Sequence, residues 1–290
     1  MNQDEHCARP EECVVTRWPF RRPRNTRAAL VGAESNLGNN LRTSKLPQIT
    51  FAFWIMKICA TTLGETAGDL LSMTMHVGYA VSSLILLGFF GATLVSQLLS
   101  KKYHPLLYWA VILSTSTAGT TMSDYMDRTM GLGYVKGTIL LLSILLAIFA
   151  YWRATGNSLS VENIKIFKVE LLYWIAILFS NTLGTALGDF LADDSGLGFA
   201  GGAVLIGTLL ALIVGAAYFT NISKVFLFWI AFVLTRPFGA TLGDVLTKSK
   251  DKGGLGFGTV GSSAVLASIL GIMILYTTIK HHGKADANNG

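Results

Sequence analysis

A tryptophan followed fifteen residues later by an aspartate occurs four times in this chain, at Trp54/Asp69, Trp109/Asp124, Trp174/Asp189 and Trp229/Asp244. Each copy also places a glycine ten residues after its Trp (Gly64, Gly119, Gly184, Gly239) and a Gly or Ser at fourteen (Gly68, Ser123, Gly188, Gly243). Each then reaches a Gly-aromatic pair: Gly78-Tyr79, Gly133-Tyr134, Gly198-Phe199 and, after a three-residue insertion, Gly256-Phe257. A register of this regularity marks one supersecondary unit written four times, and the units must bury their faces against one another.

The medium in which they do so follows from composition. Of 290 residues, 51% are hydrophobic and only 14% charged, against about 25% charged in soluble domains. Near-continuous apolar segments fall at about 49–71, 80–99, 106–122, 135–152, 171–191, 200–219, 225–246 and 257–279. Most are long enough for a helix to cross a hydrocarbon core of about 30 Å. Without strand alternation, the expectation is an all-α membrane protein: eight transmembrane helices as four tandem, parallel two-helix repeats in a pseudo-symmetric bundle. The repeats run approximately over 46–100, 105–154, 170–220 and 225–280, within a membrane domain at 45–280 and ahead of a short tail at 281–290.

The formal charge of +6 arises largely ahead of the first apolar segment, from Arg17, Arg21, Arg22, Arg24, Arg27, Arg42 and Lys45. This reads as a topology signal rather than a nucleic-acid surface. Lys101, Lys102, Arg153, Lys165, Lys168, Lys224, Lys280 and Lys284 fall on the same side, which puts both termini in the cytoplasm. Residues 1–44 read as a disordered basic extension. Cys7, Cys13 and Cys59 fit no disulfide framework, and His6, Cys7 and Cys13 match no standard metal spacing.

Because each unit holds an even number of crossings, all four first helices enter the membrane in the same direction, and the four aspartates share one depth. If the tryptophans mark the interfacial belt, the aspartates lie about 22 Å away, toward the outer edge. Positions +7, +11 and +15 from each Trp share one helix face. That face carries Thr61, Glu65 and Asp69; Ser116, Thr120 and Asp124; Asn181, Thr185 and Asp189; and Arg236, Ala240 and Asp244. The small pairs Gly64/Gly68, Gly119/Ser123, Gly184/Gly188 and Gly239/Gly243 lie beside it and allow close helix approach. The expectation is therefore a central lining of first helices, braced by second helices that face lipid.

A carboxylate in hydrocarbon costs about 3 kcal/mol at a helix centre on insertion scales, so such residues face a partner or a watery path. Glu65, Asp69, Asp124, Asp189 and Asp244, with Thr62, Thr117 and Asn181, form the candidate ion-binding set. Glu65 and Asp69, four residues apart, are its candidate metal pair. At a helix C-terminus, free carbonyls would add to a cation's binding. The plainer reading is that each Asp ends a helix at the interface. Lys57 and Arg236 break the four-fold pattern as candidate charge partners: Arg236 for Glu65 or Asp189, either as a structural pair or as a tethered cation, and Lys57 snorkelling to the cytoplasmic edge. Counting those two against five acids leaves three net negative charges, which favours a cation and disfavours anions. His76 is either a solvated loop residue or an additional ligand. Asp127, Asp193 and Asp194 read as solvated loop acids.

Nothing resembles a Walker loop, a Ser-His-Asp set or an HExxH helix, so no enzyme is expected. Phe53-Trp54, Thr62-Leu63-Gly64-Glu65-Thr66-Ala67-Gly68-Asp69 and their counterparts resemble a family of bacterial membrane proteins built from about four tandem repeats. Each repeat there has two transmembrane segments and a tryptophan, and the members are usually labelled uncharacterised membrane-anchored proteins. The resemblance covers about residues 46–280 and implies the fold and an inner-membrane location, while supplying no activity. Ser123 departs from the pattern in repeat two.

Two functions follow as expectations. One is a secondary transporter or exchanger of a small cation, plausibly divalent and coupled to protons; the other is a non-transporting scaffold or regulator whose basic arm binds lipid or a partner. The implied partners are the bilayer, a small cation and protons, with no nucleic acid and no cofactor other than a bound cation. The oligomeric state stays open.

Overall fold

The computed structural model describes residues 47, 49–100, 103–156, 159–161 and 167–286. The basic extension at 1–44 lies outside the described residues, and so do Lys45, Lys101, Lys102 and Lys165, together with the charge asymmetry and metal spacing read from them.

Among the described residues eight long helices follow one another: α1 (Phe51–Asp69), α2 (Tyr79–Leu99), α3 (Pro105–Asp124), α4 (Tyr134–Ala154), α5 (Phe167–Asp189), α6 (Gly198–Phe219), α7 (Lys224–Thr247) and α8 (Gly258–Asp286). Local chemistry sets their starts. The Thr50 hydroxyl accepts from the Phe53 N–H to cap α1, the Ser223 hydroxyl accepts from Phe226 to cap α7, and Pro105 sits in the first turn of α3, where no N–H is needed. The Gly-aromatic pairs are the turns into the second helices. Gly78 and Gly133 stand at φ +82° and +77°, a region open to glycine at little cost.

The odd-numbered helices form a closed ring: α1 packs on α3, α3 on α5, α5 on α7, and α7 back on α1. The even helices lie outside it, and each braces the first helix of the following repeat. Thus α2 packs on α3, α4 on α5, α6 on α7, and α8 closes the circle on α1. The repeat is therefore a unit of sequence whose two helices support different places in the bundle.

Small residues set the ring's tightness. A Cβ at Gly64 would overlap Ser116, at Gly119 Asn181 and the Thr182 backbone, at Gly184 Arg236 and Pro237, and at Gly239 Thr61. In every case the +10 glycine receives the +7 residue of the next repeat. One turn further, Gly68 meets Thr120, Gly188 meets Ala240 and Gly243 meets Glu65, so +14 receives +11. The close approach that small residues permit thus presses the polar face of each inner helix toward the middle.

Among the described residues, six helices are long and apolar enough to cross a membrane: Tyr79–Leu99, Tyr134–Ala154, Phe167–Asp194, Gly198–Phe219, Lys224–Thr247 and Gly258–Ile279. The even helices present an apolar exterior, with Leu84, Phe89, Ile139, Val204 and Val260 largely exposed. Helices α1 and α3 fall short of that hydropathy because their polar faces point into the bundle, where Thr61, Glu65, Ser116 and Thr120 are buried. The described residues form an all-helical, pseudo-symmetric membrane bundle.

The tryptophans, read from the sequence as an interfacial belt, are for the most part enclosed by the protein. Trp109, Trp174 and Trp229 are buried, because the outer helices cover the ring at their level. They join Phe53, Trp54, Tyr108, Tyr173, Phe228 and Phe232 in an aromatic plug. The Tyr108 and Tyr173 hydroxyls meet at 3.0 Å, and Trp229 Nε1 donates to the Leu159 carbonyl at 2.9 Å.

Candidate functional site

The +3, +7, +11 and +15 positions of the four inner helices stack into four buried layers along the ring's centre. From the aromatic plug outward they are Lys57, Ile112, Ile177 and Phe232; then Thr61, Ser116, Asn181 and Arg236; then Glu65, Thr120, Thr185 and Ala240; then Asp69, Asp124, Asp189 and Asp244. None of these sixteen residues is more than 4% exposed.

At the centre, Arg236 Nη1 lies 3.1 Å from Glu65 Oε2 and also donates to the Thr61 carbonyl at 3.1 Å. Its Nη2 donates to the Ser116 carbonyl and to the Thr120 and Thr185 hydroxyls. Those hydroxyls in turn donate to Glu65 Oε2 at 3.1 and 3.2 Å. One guanidinium therefore ties together all four inner helices, with two threonines relaying its charge to the carboxylate. Of the two partners foreseen for Arg236, Glu65 is the one in contact.

The aspartate layer is joined by two cations that the loop reading missed. Lys248 Nζ lies 3.0 Å from Asp69 and 3.1 Å from Asp244, joining repeats one and four. Arg128 lies 2.9 Å from Asp124 and 3.2 Å from Asp189, joining repeats two and three. Both bases sit nineteen residues after a Trp, one turn beyond the Asp on the same face; repeats one and three carry Met73 and Asp193 there. Burial opposes the Lys248 charge, yet the Asp244 and Asp69 carboxylates outweigh it and hold the ammonium above the usual lysine range. With Arg128 and Lys248 included, five axial acids face four bases, leaving one net negative charge where the sequence count left three.

The aspartates do not end helices beside free carbonyls, as expected. In repeats one to three the chain continues through a π-helical turn, at Leu70–Thr74, Tyr125–Thr129 and Phe190–Asp194. Such wide turns recur at functional sites, and this one carries the face a turn further, which brings Arg128 back onto the axis.

The candidate metal pair is also revised. One carboxylate oxygen from each of Glu65, Asp189 and Asp244 lies within 4.8 Å of the others, all three buried. Asp69 is not in this group; its carboxylate is held by Lys248. The Thr62 and Thr117 hydroxyls donate to the carbonyls of Ile58 and Leu113 one turn back, at 2.9 and 3.2 Å, so they are committed to their own helices. Asn181 Nδ2 donates to Thr115 at 2.9 Å. Lys57 does not snorkel: it is fully buried, with its ammonium 4.0 Å over the Phe232 ring. His76 is exposed in the first turn. Asp127 is not solvated either; it is buried, accepts from the Ser123 hydroxyl at 3.3 Å and packs against Gly137. Asp193 and Asp194 are exposed.

A ring of parallel repeat helices whose axis is lined by ionisable groups and hydroxyls, jacketed by apolar helices, defines a multi-pass helical membrane protein with a polar interior. The chain belongs to the family described as Repeat of Unknown Function (DUF347), which matches four times, at residues 52–103, 107–158, 172–223 and 227–282. No curated protein and no solved structure matches it.

Proposed function

We propose that this protein is a secondary transporter or exchanger of a small cation, with the axial carboxylates as its binding groups. The convergence of Glu65, Asp189 and Asp244 from three repeats, each buried and each offering an oxygen within 4.8 Å of the others, carries this reading. An all-oxygen donor set suits hard cations such as Mg, Mn or Ca better than copper or zinc. Burial makes three carboxylates costly to keep together without positive charge, and an incoming cation would take over from Arg236 on Glu65 and from the bases flanking Asp189 and Asp244. The aromatic plug below and the Arg128 and Lys248 bridges above close the axis at both ends, as an alternating-access cycle requires of one of its states. The location that suits this activity is a bacterial inner membrane.

A second reading rests on one specific observation: every axial carboxylate already has a basic partner. A bundle locked by such pairs also suits a non-transporting scaffold or regulator acting through its basic amino-terminal arm.

Cation binding separates the two. Purified wild type, warmed in the presence of Mg, Mn, Ca, Na or K, is expected to be stabilised selectively by the bound ion, by about 2.7 kcal/mol at a hundredfold excess over Kd. The Asp189→Asn/Asp244→Asn variant should lose the shift and Asp127→Asn should keep it. A wild type insensitive to every ion favours the scaffold.

A further inference from the structure

Lys57 occupies the layer beneath Arg236 and is the axial charge that the cation site does not use. It is fully buried among Ile112, Ile177 and Phe232, which are themselves fully buried. Among the described residues its Nζ has no hydrogen-bond partner and no carboxylate pairs with it; it lies 4.0 Å over the Phe232 ring. Of the helices packed against α1, α7 brings Arg236, which acts on Lys57 by charge repulsion, while among the described side chains α3 and α8 bring no charged group to bear on it. Cys59, on its own helix, donates to the Leu266 carbonyl of α8 at 3.3 Å.

Three further polar atoms, all in the adjacent layer, are buried and unpartnered: Ser116 Oγ, Asn181 Oδ1 and Arg236 Nε. They come from α3, α5 and α7, the inner helices other than the one that carries Lys57. Buried polar atoms left unpaired in this way are rare, and each asks for water or a functional explanation. An amine with no counterion and no hydrogen bond has little to hold its proton against a rise in local positive charge.

We propose that Lys57 is the proton-exchange group of the cation site, losing its proton when a cation replaces the Arg236 guanidinium on Glu65. This rests on the transport reading above and adds the coupled ion and its residue. In the ion-free state Glu65 neutralises Arg236, and Lys57 carries the one uncompensated positive charge of the inner half. When a cation takes the carboxylate, the guanidinium keeps its charge, since arginine does not deprotonate. Its field then falls undiminished on the neighbouring ammonium. One N–H bond of Lys57 breaks, the electron pair stays on Nζ, and the proton passes to a water held by the unpartnered Ser116 Oγ and Asn181 Oδ1. Release of the cation restores the Glu65–Arg236 pair and lets the amine take up a proton, so that cation and proton exchange in opposite directions.

The test is proton release on cation binding, followed with a pH dye in weakly buffered detergent solution as MgCl2, MnCl2 or CaCl2 is added to the full-length protein. Wild type should release about one proton per cation bound from the amine alone. Lys57→Met and Lys57→Gln should bind the same cation and release none; Lys57→Arg, which retains a fixed charge, should also release none. A Lys57 variant that releases protons as wild type does overturns the assignment of Lys57 while leaving the cation site standing. A folded wild type that binds none of the three cations overturns the transport reading, and this inference with it.

Discussion

Arg236 reaches across the ring from the last repeat to place its Nη1 3.1 Å from Glu65 of the first, with no part of the guanidinium side chain exposed. Two residues that each occur once in four otherwise similar repeats thus meet at the seam where the ring closes. Removing one member of such a pair strands the other as a buried charge, whereas removing both leaves a cavity but no orphaned ion. Arg236→Met should therefore cost about 3–5 kcal/mol of unfolding free energy, and Glu65→Gln/Arg236→Met substantially less. Unfolding followed by tryptophan fluorescence in detergent checks this; a double variant as unstable as the single would show that the pair is not a unit.

The glycines give a sharper packing test because the fold supplies its own controls. Gly64→Ala and Gly184→Ala place a methyl against Ser116 and against Arg236 and Pro237, while Gly88→Ala and Gly215→Ala meet nothing within 4 Å. The first two should lower stability by about 1–3 kcal/mol through overpacking. The second two should be neutral or slightly stabilising, since alanine is the better helix former. Thermal midpoints of the four variants, measured side by side, decide the matter.

At the outer end, Lys248 bridges Asp69 and Asp244 with its side chain 22% exposed. Discounted for solvent, the bridge is worth about 1 kcal/mol, which is the loss expected for Lys248→Met. Because the carboxylates raise the folded-state lysine above its ordinary value, its contribution is fully present below the unfolded value. It fades only as pH climbs through the folded one. The difference between wild type and Lys248→Met should thus stay constant from neutrality up to about pH 10 and shrink above it. Paired unfolding curves across that range provide the check.

Parallel insertion of the repeats is open to labelling. With Cys7, Cys13 and Cys59 replaced, single cysteines at Met75, Met130, Ser195 and Asp251, all exposed, should react with an impermeant maleimide from one side of the membrane. Cysteines at Thr155 and Thr220, likewise exposed, should react only from the other. A split within the first group would contradict four helices entering in the same direction.

The sequence carried the fold because the register repeats: glycine at +10 and +14 and the polar face at +7, +11 and +15 are legible wherever one Trp can be laid over another. The closed ring was foreshadowed by four like helices, but the bracing of each inner helix by the preceding repeat was not, since periodicity says which face is buried and not what covers it. Arg128 and Lys248 were hidden by the assumption that each helix stops at its aspartate. The π turn in repeat two carries the face on to Arg128, and in repeat four α7 runs through Thr247, just short of Lys248. Lys57 lay in plain register, four residues before Thr61 on the axial face, yet its nearness to the tryptophan suggested an interface that the outer helices in fact bury. Which carboxylates meet, Asp189 and Asp244 with Glu65 rather than Asp69, depends on how the four inner helices are set around the ring, and spacing does not encode that.

On the transport reading, the buried carboxylates on this axis carry a cation across the membrane. The most direct test is flux into proteoliposomes under imposed gradients of Mg, Mn, Ca, Na and K, comparing wild type with Glu65→Gln and with Asp189→Asn/Asp244→Asn. Wild type should move at least one of these ions, and both variants should fall to the level of empty liposomes while remaining folded. Absence of flux for every ion with folded wild type, or undiminished flux in both variants, would contradict it.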